Sequence, residues 1–591
     1  MNIIWSIYKF ILRRLANIER WLLAVSLTLV IILGIAPSIT SFFLKKIIST
    51  VEQLLTYKQS EALYGLLVLF CIAYILMVFV KELASICRST LYHLLSIELT
   101  FDVQSLILNK IKKVPYKEFF TQNFQDLYTN VIKNCSTECF KLVTAATTLI
   151  IFTIDVVSAT IILACFKIEL AIFLFVFALP SVFIRCKTQN AFMSVYKENT
   201  KLERENFYIF NILTDKSYLK EIRLFNLEKY FEEKRNRNLK ENLHKWKRFA
   251  KKEIKDVILS HIFPCFGVLI SIGYVVYMTL LKNIDLSELV FYSGIIISFH
   301  TACGQCVLQL AETYKSMLFI NQLFEFFYLE EKNSLNKSLP VITFHTIEFH
   351  NVSFKYPGAS QNALHKINLK LNLGEKVCIV GENGCGKSTL INLLLRHYLP
   401  TEGYITLDNI DIQNFDLQEY RNLFSGIYQD FQKMAVPLNE FISFGNMEKV
   451  HDEKKLEIAT QKTTINRLIK SLPEKFNSRL TQLFDSNGLE LSGGQWQRLA
   501  VSRVFFSDAP ILIFDEPTSA LDSFTEAKVF DEIIKIKEKL VILISHRMYT
   551  LKYADNVVYM KEGAIIASGH HDELFEACNE YKKMFLAQYG K

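Results

Sequence analysis

The residues best placed to do chemistry form one glycine-rich stretch, Gly381-Glu382-Asn383-Gly384-Cys385-Gly386-Lys387-Ser388-Thr389. Apolar runs at 377–380 and 390–395 flank it, which predicts a strand, a tight turn and a helix. In such a turn backbone N–H groups can surround a phosphate, and the helix N-terminus adds the positive end of its dipole. Lys387 would bind the β- and γ-phosphates, and the Ser388 hydroxyl would ligate Mg²⁺. The stretch therefore predicts a nucleoside triphosphate site.

Four further stretches carry groups that the phosphate loop lacks. The apolar run at 511–514 ends in Asp515, which would hold the metal, and Glu516, which would polarise an attacking water. Gln429 follows another apolar run, and its position suits a loop that touches both the metal's water shell and a neighbouring domain. His546 could bond the γ-phosphate. The run at 491–495 opens a helix and offers a second set of N–H donors.

This constellation closely resembles the nucleotide-binding domain of an ATP-binding-cassette (ABC) transporter, over about 341–591. The resemblance implies that ATP is the nucleotide and Mg²⁺ the metal, held by Ser388, Gln429 and Asp515. It implies that Glu516, His546 and Gln429 are catalytic and that Tyr356 stacks on adenine. It assigns ATP contacts and partner-facing residues to three motifs: the phosphate loop Gly381, Glu382, Asn383, Gly384, Cys385, Gly386, Lys387, Ser388 and Thr389; the signature Leu491, Ser492, Gly493, Gly494 and Gln495; and the D-loop residue Asp522.

In this family the signature of one domain closes the ATP held by another, so the resemblance implies a dimer. Because all the motifs are intact, a homodimer of this chain would have two sites competent for hydrolysis. The run at 484–488, Phe-Asp-Ser-Asn-Gly, departs from the Gly-Glu-containing loop of many exporters. Asp485 is the residue that could substitute for the missing Glu.

The composition predicts a membrane protein. Of the 591 residues 51% are hydrophobic, and the mean hydropathy is +0.20, which is too apolar for an ordinary soluble chain of this size. The formal net charge is +8, but the basic residues lie next to apolar spans, which favours a positive-inside membrane pattern over nucleic-acid binding. The twelve cysteines lack the spacing of a disulfide scaffold and are expected to be reduced.

Six apolar stretches predict six membrane-spanning helices, near 21–44, 63–80, 142–166, 168–184, 257–281 and 288–310. The two long segments between them, 81–141 and 185–256, are rich in charge and therefore expected in the cytoplasm, together with both termini. The predicted fold is a membrane α-helical domain of six transmembrane helices fused to a cytoplasmic α/β P-loop ATP-binding-cassette domain. The predicted boundaries are 1–20 for an N-terminal cytoplasmic segment, 21–329 for the membrane domain, 330–340 for a linker and 341–591 for the ATP domain.

Each long segment is expected to form a helix, a turn and a helix that extend well beyond the bilayer. The turns at 114–127 and 214–225 resemble the coupling helices of exporter-type ABC transporters, which dock near the Gln429 loop. The alternative is a pair of solvated helical hairpins.

Ionisable residues inside membrane spans are costly and mark candidate substrate contacts. Asp155 lies near the middle of the third span and is the preferred candidate, ahead of His261 and His300. Hydrogen bonds within the helix bundle would satisfy these residues equally well. Cys303 and Cys306 are interpreted as packing residues, with a metal or thiol function as the alternative.

The fused arrangement resembles an exporter half-transporter, and local runs such as Gly493-Gly494-Gln495-Trp496-Gln497 resemble the lantibiotic and peptide exporters that lack a peptidase domain. We therefore predict ATP-driven export of a peptide, modified or not, across a bacterial cell membrane, with a second copy of the chain and possible contact with a peptide-modifying enzyme complex. Lipid or multidrug export is the main alternative. An ATP-gated channel or regulator is disfavoured because Glu516 and His546 are both present.

Overall fold

A computed structural model of the protein describes residues 20–56, 61–132, 136–329, 339, 344–545 and 547–589. These residues form two compact units. The first contains the described residues up to Val114 together with Thr121–Leu329, and the second contains Pro115–Phe120 together with the described residues from Leu339 onward. The predicted N-terminal segment 1–20 and linker 330–340 lie almost wholly outside the described residues.

The first unit is helical. Six of its helices are long and apolar enough to cross a membrane, which confirms the predicted number and order of spans. The helices are α1 (Arg20–Thr56), α2 (Glu61–Ile111), α3 (Gln122–Asn130), α4 (Ser136–Phe166), α5 (Ile168–Thr214), α6 (Lys216–Leu224), α7 (Glu228–Leu280) and α8 (Leu286–Tyr328), of which α3 and α6 are the short ones.

The long charged segments continue the membrane helices without a break. Helix α7 has 53 residues, so at 1.5 Å per residue it is roughly 80 Å long, more than twice the ~30 Å hydrocarbon core. The short α6 begins after Asp215, whose carboxylate accepts the Ser217 N–H and caps the helix. The predicted helix–turn–helix extensions are therefore present, and each carries a short helix at its turn.

Two ionisable side chains of the membrane helices have polar partners on other helices. Asp155 on α4 is 4% exposed, and both its carboxylate oxygens accept from the Ser298 hydroxyl, at 3.0 and 3.1 Å. The Lys45 ammonium donates to Glu288 at 3.0 Å. Asp155 thus faces a neighbouring helix, which corresponds to the hydrogen-bonding alternative, and its contact with a substrate remains a prediction.

The second unit has two sheets. Strands β1 (Thr346–Phe354), β2 (Leu364–Asn372), β4 (Glu402–Leu407) and β5 (Ile410–Asp411) form an antiparallel sheet in the order β2-β1-β4-β5. The other sheet has the order β10-β9-β3-β8-β7-β6 and is parallel except for β10. Its strands are β3 (Lys376–Gly381), β6 (Phe424–Ile427), β7 (Ile511–Asp515), β8 (Leu540–Ile544), β9 (Asn556–Lys561) and β10 (Ala564–Gly569).

Helices cover both faces of the six-stranded sheet, so its strands read as continuous apolar runs. Successive residues of β7 alternate between two cores: Leu512 and Phe514 pack into one, and Ile511 and Ile513 into the other. The helices are α9 (Lys387–Leu394), α10 (Leu417–Asn422), α11 (Leu438–Ser443), α12 (Glu453–Lys462), α13 (Asn466–Ser471), α14 (Gly493–Phe506), α15 (Ser523–Ile534), α16 (His571–Ala577) and α17 (Asn579–Tyr589).

Residues 115–120 belong to the second unit, although the predicted boundaries place them in the membrane domain. Tyr116 opens a short 3₁₀ helix there, and its ring lies 4.8 Å from that of His397 and 5.8 Å from that of Tyr398. His397 also lines a groove with Tyr428, the residue before Gln429. Within the second unit, residues 115–120 of the first predicted coupling segment therefore pack against His397, beside a groove that Tyr428 also lines.

The helix after the phosphate loop ends without a glycine cap. Instead α10 satisfies its terminal carbonyls: the Tyr420 hydroxyl donates to Leu394 O at 2.7 Å, and the Arg421 guanidinium donates to Leu395 O at 3.1 Å and Arg396 O at 3.0 Å. Tyr420 is fully buried, and burial raises the pKa of its phenol, so the hydroxyl keeps its proton for this bond.

Tyr420→Phe is expected to destabilise the second unit by about 1–2 kcal/mol, because it leaves the buried Leu394 carbonyl without a donor. The melting temperature of that unit should fall by about 2–8 °C, measured by calorimetry of the full chain in lipid nanodiscs. Tyr404→Phe is the matched control, since Tyr404 is 49% exposed and loses the same hydroxyl. Equal shifts in the two variants would contradict this role of Tyr420.

Candidate nucleotide-binding site

Four adjacent parallel strands end at one edge of the six-stranded sheet, and each leads directly into a predicted motif. Strand β3 ends at Gly381 in the phosphate loop, β7 ends at Asp515, β8 ends two residues before His546, and β6 ends two residues before Gln429. Because the strands run parallel, their carboxyl ends meet. Motifs that are up to 165 positions apart in the sequence are thereby gathered at one place.

The phosphate loop depends on glycine at two positions. A Cβ on Gly381 would lie 2.2 Å from the Met560 carbonyl oxygen of neighbouring β9, and Gly386 caps α9 in the left-handed region at φ +106°. The Lys387 ammonium lies over the loop and donates to Gly381 O at 2.8 Å and Glu382 O at 2.9 Å. Lys387 is largely buried, whereas Glu382, Asn383, Gly384 and Ser388 are exposed at the loop surface.

Carboxylates cluster beside Lys387. Burial, reinforced by the neighbouring Glu516 and Asp430, raises the pKa of Asp515 to about 6, and Lys387 acts in the opposite direction. No group of three or more His, Cys, Asp or Glu in the described parts of the chain could hold a metal by itself. Mg²⁺ in phosphate-binding sites usually takes only one or two protein ligands besides phosphate and water, so the half-buried Asp515 with the exposed Ser388 fits this metal.

Glu516 has a strained backbone. Its φ is +47°, in the left-handed region that residues other than glycine rarely adopt, and its N–H donates to the Ile544 carbonyl of β8 at 3.0 Å. The Gln429 amide donates to the Glu516 carboxylate at 3.1 Å. The structure therefore joins two of the predicted catalytic residues, which are 87 positions apart in the sequence.

The signature residues form a capping box at the start of α14. The Ser492 hydroxyl accepts the Gln495 N–H at 3.3 Å, and the Gln495 side chain accepts the Ser492 N–H at 2.8 Å. Ser492 and Gly493 are exposed, and a Cβ on Gly493 would meet open space. The backbone at Gly494 lies close to that of Ala520, because a Cβ added at Gly494 would be only 2.9 Å from the Ala520 carbonyl oxygen. Leu491 precedes the cap and packs against the core.

Gln497 connects the signature helix to the Glu516 loop, and the sequence analysis did not assign it a role. Its side-chain amide donates to the Glu516 carbonyl at 3.0 Å and to the Ser519 hydroxyl at 3.1 Å, while its oxygen accepts the Ala520 N–H at 2.7 Å. The side chain is only 4% exposed. The position of Gln497, two residues after the last signature residue, was the signal that the sequence offered. The hydrogen-bond partners of Gln497 can be identified only from the fold.

A buried carboxylate contacts Arg547, the residue that follows His546 in the sequence. Glu526 on α15 is 5% exposed; it accepts from the Thr518 hydroxyl at 2.9 Å and pairs with Arg547 at 3.2 Å. His546 itself lies outside the described residues, so its predicted bond to a γ-phosphate remains a prediction. Glu526 is a second residue without an assigned role in the sequence analysis.

Three other predicted residues have local partners. The Tyr356 hydroxyl shares a hydrogen bond of 3.0 Å with the Thr389 hydroxyl, and its ring lies 5.3 Å from that of Tyr398. Asp522 caps α15 by accepting the Thr525 N–H at 3.0 Å. Asp485, the predicted substitute in the altered loop, accepts the Asn487 N–H at 2.9 Å and so caps a turn.

Comparisons with known proteins agree with this geometry. Residues 364–519 match the family model described as "ABC transporter", and residues 23–302 match "ABC transporter transmembrane region". The chain is 29% identical to the subtilin transport ATP-binding protein SpaT of Bacillus subtilis, across 96% of this chain and 92% of SpaT. It is 26% identical to the nisin transport ATP-binding protein NisT of Lactococcus lactis subsp. lactis, across 83% and 82% of the two chains.

A solved structure shares the fold of the whole chain. The ATP-bound form of a bacterial Atm1-family ABC exporter superposes with a TM-score of 0.85 over 97% of this chain and 99% of its own, at 19% sequence identity. The fold of this one structure therefore accounts for both the six apolar helices and the ATP-binding domain. The chain belongs to the ABC transporter family and is an exporter half-transporter, a multi-pass membrane protein that binds ATP with Mg²⁺ and hydrolyses ATP to drive transport.

Proposed function

We propose that two copies of this chain form a pump that exports an amphiphilic peptide across a bacterial cell membrane, with both termini and the ATP domains in the cytoplasm. One observation carries the choice of cargo: the similarity to SpaT extends through the membrane domain, over 571 residues. The match at 37% identity to a putative multidrug export protein of Bacillus subtilis covers only 41% of the chain. Cargo contacts lie in the membrane domain, so the full-length similarity is the more informative one.

The signature geometry supports the dimer. Ser492 and Gln495 bond each other through their own N–H groups, and the capping bonds do not use the N–H groups of the exposed Gly493 and the partly exposed Gly494. Such a turn offers donors and a positive dipole end to an anion supplied from outside the chain. We infer that this anion is the γ-phosphate of ATP held by the phosphate loop of the second copy. On α6, Leu224 and Phe225 are 72% and 64% exposed, which leaves apolar surface that a second copy could cover.

The proposed hydrolysis step uses Glu516 as general base. Its carboxylate accepts a proton from water, the water oxygen bonds to the γ-phosphorus, and the bond to the β–γ bridging oxygen breaks, releasing ADP and phosphate. The Gln429 amide donates one hydrogen bond to the Glu516 carboxylate, and the Gln497 amide donates one to the Glu516 backbone carbonyl. Mg²⁺, bound by Ser388, Asp515 and Gln429, would neutralise phosphate charge.

Coupling between hydrolysis and transport would begin at the groove beside Gln429. Tyr116 contacts His397, which lines that groove with Tyr428. A change in the Gln429 loop on nucleotide binding would therefore reach residues 115–120, which the chain connects directly to α2 and α3. We propose that this segment is the first coupling helix.

Glu516→Gln is expected to lower the ATPase rate by about 10²–10⁴-fold, because an amide cannot accept the proton from water. ATP binding should persist, and the variant should accumulate a closed, ATP-filled dimer, detectable by retained nucleotide after gel filtration. Glu562→Gln is the matched control, since Glu562 is exposed and has the same φ of +47°. If Glu516→Gln hydrolysed ATP at the wild-type rate, the base would have to be another residue.

Gln497→Glu is expected to lower kcat about 10-fold to 100-fold while ATP affinity changes little, since the buried carbonyl of Glu516 loses its donor and the loop is no longer held. The carboxylate still accepts the Ala520 N–H, so the fold should persist. Gln461→Glu, at an exposed position of α12, makes the same change away from the site. A selective loss of ATP affinity, with kcat unchanged, would contradict the positioning role.

The cargo is tested with the purified chain in nanodiscs and in proteoliposomes. Lanthionine-containing peptides with their leader attached are expected to raise the ATPase rate several-fold and to be accumulated in an ATP-dependent way, and Glu516→Gln should abolish both effects. Stimulation by lipids or hydrophobic drugs but by no peptide would overturn peptide export in favour of that alternative. No hydrolysis by wild type would overturn the homodimeric pump.

A further inference from the structure

A cavity of about 190 Å³ lies within the first unit, between α5, α7 and α8. One part of its wall is apolar and includes Leu174 and Phe299, and the other part is polar. None of the described residues that line it is acidic. The polar part of the wall is formed mainly by basic and hydrogen-bonding side chains: Ser181, Arg185, His261, His300 and Gln305.

The basic side chains form a cluster. The Arg185 guanidinium donates to Nε2 of His261 at 3.4 Å, and His300 lines the same cavity. Each of the three is the kind of residue that donates hydrogen bonds to an anion, and Arg carries its charge at any physiological pH. A guanidinium within a membrane bundle normally has a carboxylate partner. Across the described part of the chain, no ion pair involves Arg185, in contrast to Lys45 with Glu288.

A proline accounts for the way this cluster is held together. Pro264 has no N–H, so the carbonyl of Ser260, four residues earlier on α7, has no helical donor. The Ser181 hydroxyl of α5 donates to that carbonyl at 2.5 Å, and both serines are buried. Arg185 lies one turn after Ser181, and His261 directly follows Ser260. The interhelical bond therefore fixes the register that brings Arg185 and His261 together.

We propose that this cavity binds a carboxylate of the transported peptide, from an acidic side chain or the C-terminus, with the Arg185 guanidinium as its ion pair. His300 donates a hydrogen bond to the same group, and His261 accepts from Arg185 and so orients the guanidinium. Leu174 and Phe299 contact the apolar part of the cargo. The inference rests on the proposed peptide export and names the chemical feature that the membrane domain recognises. Asp155 does not compete for Arg185, because it is buried against Ser298 and does not line the cavity.

The site is tested with small probes before peptides. The full chain in nanodiscs of zwitterionic lipid is titrated with N-dodecanoyl-glutamate and with the neutral N-dodecanoyl-glutaminamide, which share one acyl chain. Wild type is expected to bind the acidic probe at least 10-fold more tightly. Arg185→Gln should reduce this preference to less than about 2-fold, and Arg185→Lys should restore part of it. Lys187→Gln, an exposed charge on the same helix, should keep the full preference.

Ser181→Ala provides a second test that leaves every charge in place. It is expected to weaken the preference for the acidic probe several-fold, because the register of α5 against α7 is released. Equal binding of the two probes by wild type, or an unchanged preference in Arg185→Gln, would overturn the site. A dodecyl phosphate arm is included, and an Arg185-dependent preference for phosphate over carboxylate would overturn the carboxylate assignment.

Experiments with peptides distinguish an error in the proposed carboxylate site from an error in the proposed peptide export. A leader-bearing peptide with its acidic residues intact is compared, by ATPase stimulation, with the same peptide carrying Gln, Asn and a C-terminal amide. Equal stimulation by both forms, insensitive to Arg185, overturns the carboxylate site and leaves peptide export standing. The other outcome is that N-dodecanoyl-glutamate binds in an Arg185-dependent way but no peptide stimulates the ATPase. That result would support the anion site and overturn its link to a peptide cargo.

Discussion

The parallel pairing of four strands is the constraint on which the nucleotide site depends. Asp515 lies opposite Ile544 across β7 and β8, and Ile544 lies opposite Ile379 across β8 and β3. A slip of one residue would turn Phe514, which is fully buried, toward the opposite face and would displace Asp515 from the loop that carries Lys387. The same apolar packing that stabilises the sheet therefore fixes the relative positions of the acidic and basic groups.

Several motif residues also have a structural role in their own chain. Ser492 and Gln495 cap α14, Asp522 caps α15, and Gln429 bonds Glu516. At the start of α14 the capping bonds take the N–H groups of Ser492 and Gln495 and do not use those of Gly493 and Gly494. The capping bonds and the proposed contact with phosphate are compatible because they use different atoms. Pre-formed caps hold the donors in position before any nucleotide arrives.

The sequence was sufficient for features that depend on local pattern. Six spans, the strand before Gly381 and the helix after Gly386 follow from hydrophobic runs and glycine spacing. It could not identify Gln497 or Tyr420 as linking residues, because their partners at Glu516 and Leu394 are close only after the strands have paired. Nor could it place Tyr116 in the second unit, since residues 115–120 are joined by sequence to the first.

The membrane residues show what hydropathy alone leaves open. Asp155 lies near the middle of its predicted span, whereas Arg185 lies at the cytoplasmic end of another, and ionisable residues at both places are candidates for function. The fold separates them: the Asp155 carboxylate accepts from the Ser298 hydroxyl, whereas Arg185 lines a cavity and donates to His261. A charge that the bundle itself satisfies stabilises the helix packing. A charge that the bundle leaves facing a cavity retains its desolvation cost until an anion enters, and in the site proposed above that cost would be the physical basis for selecting one kind of cargo.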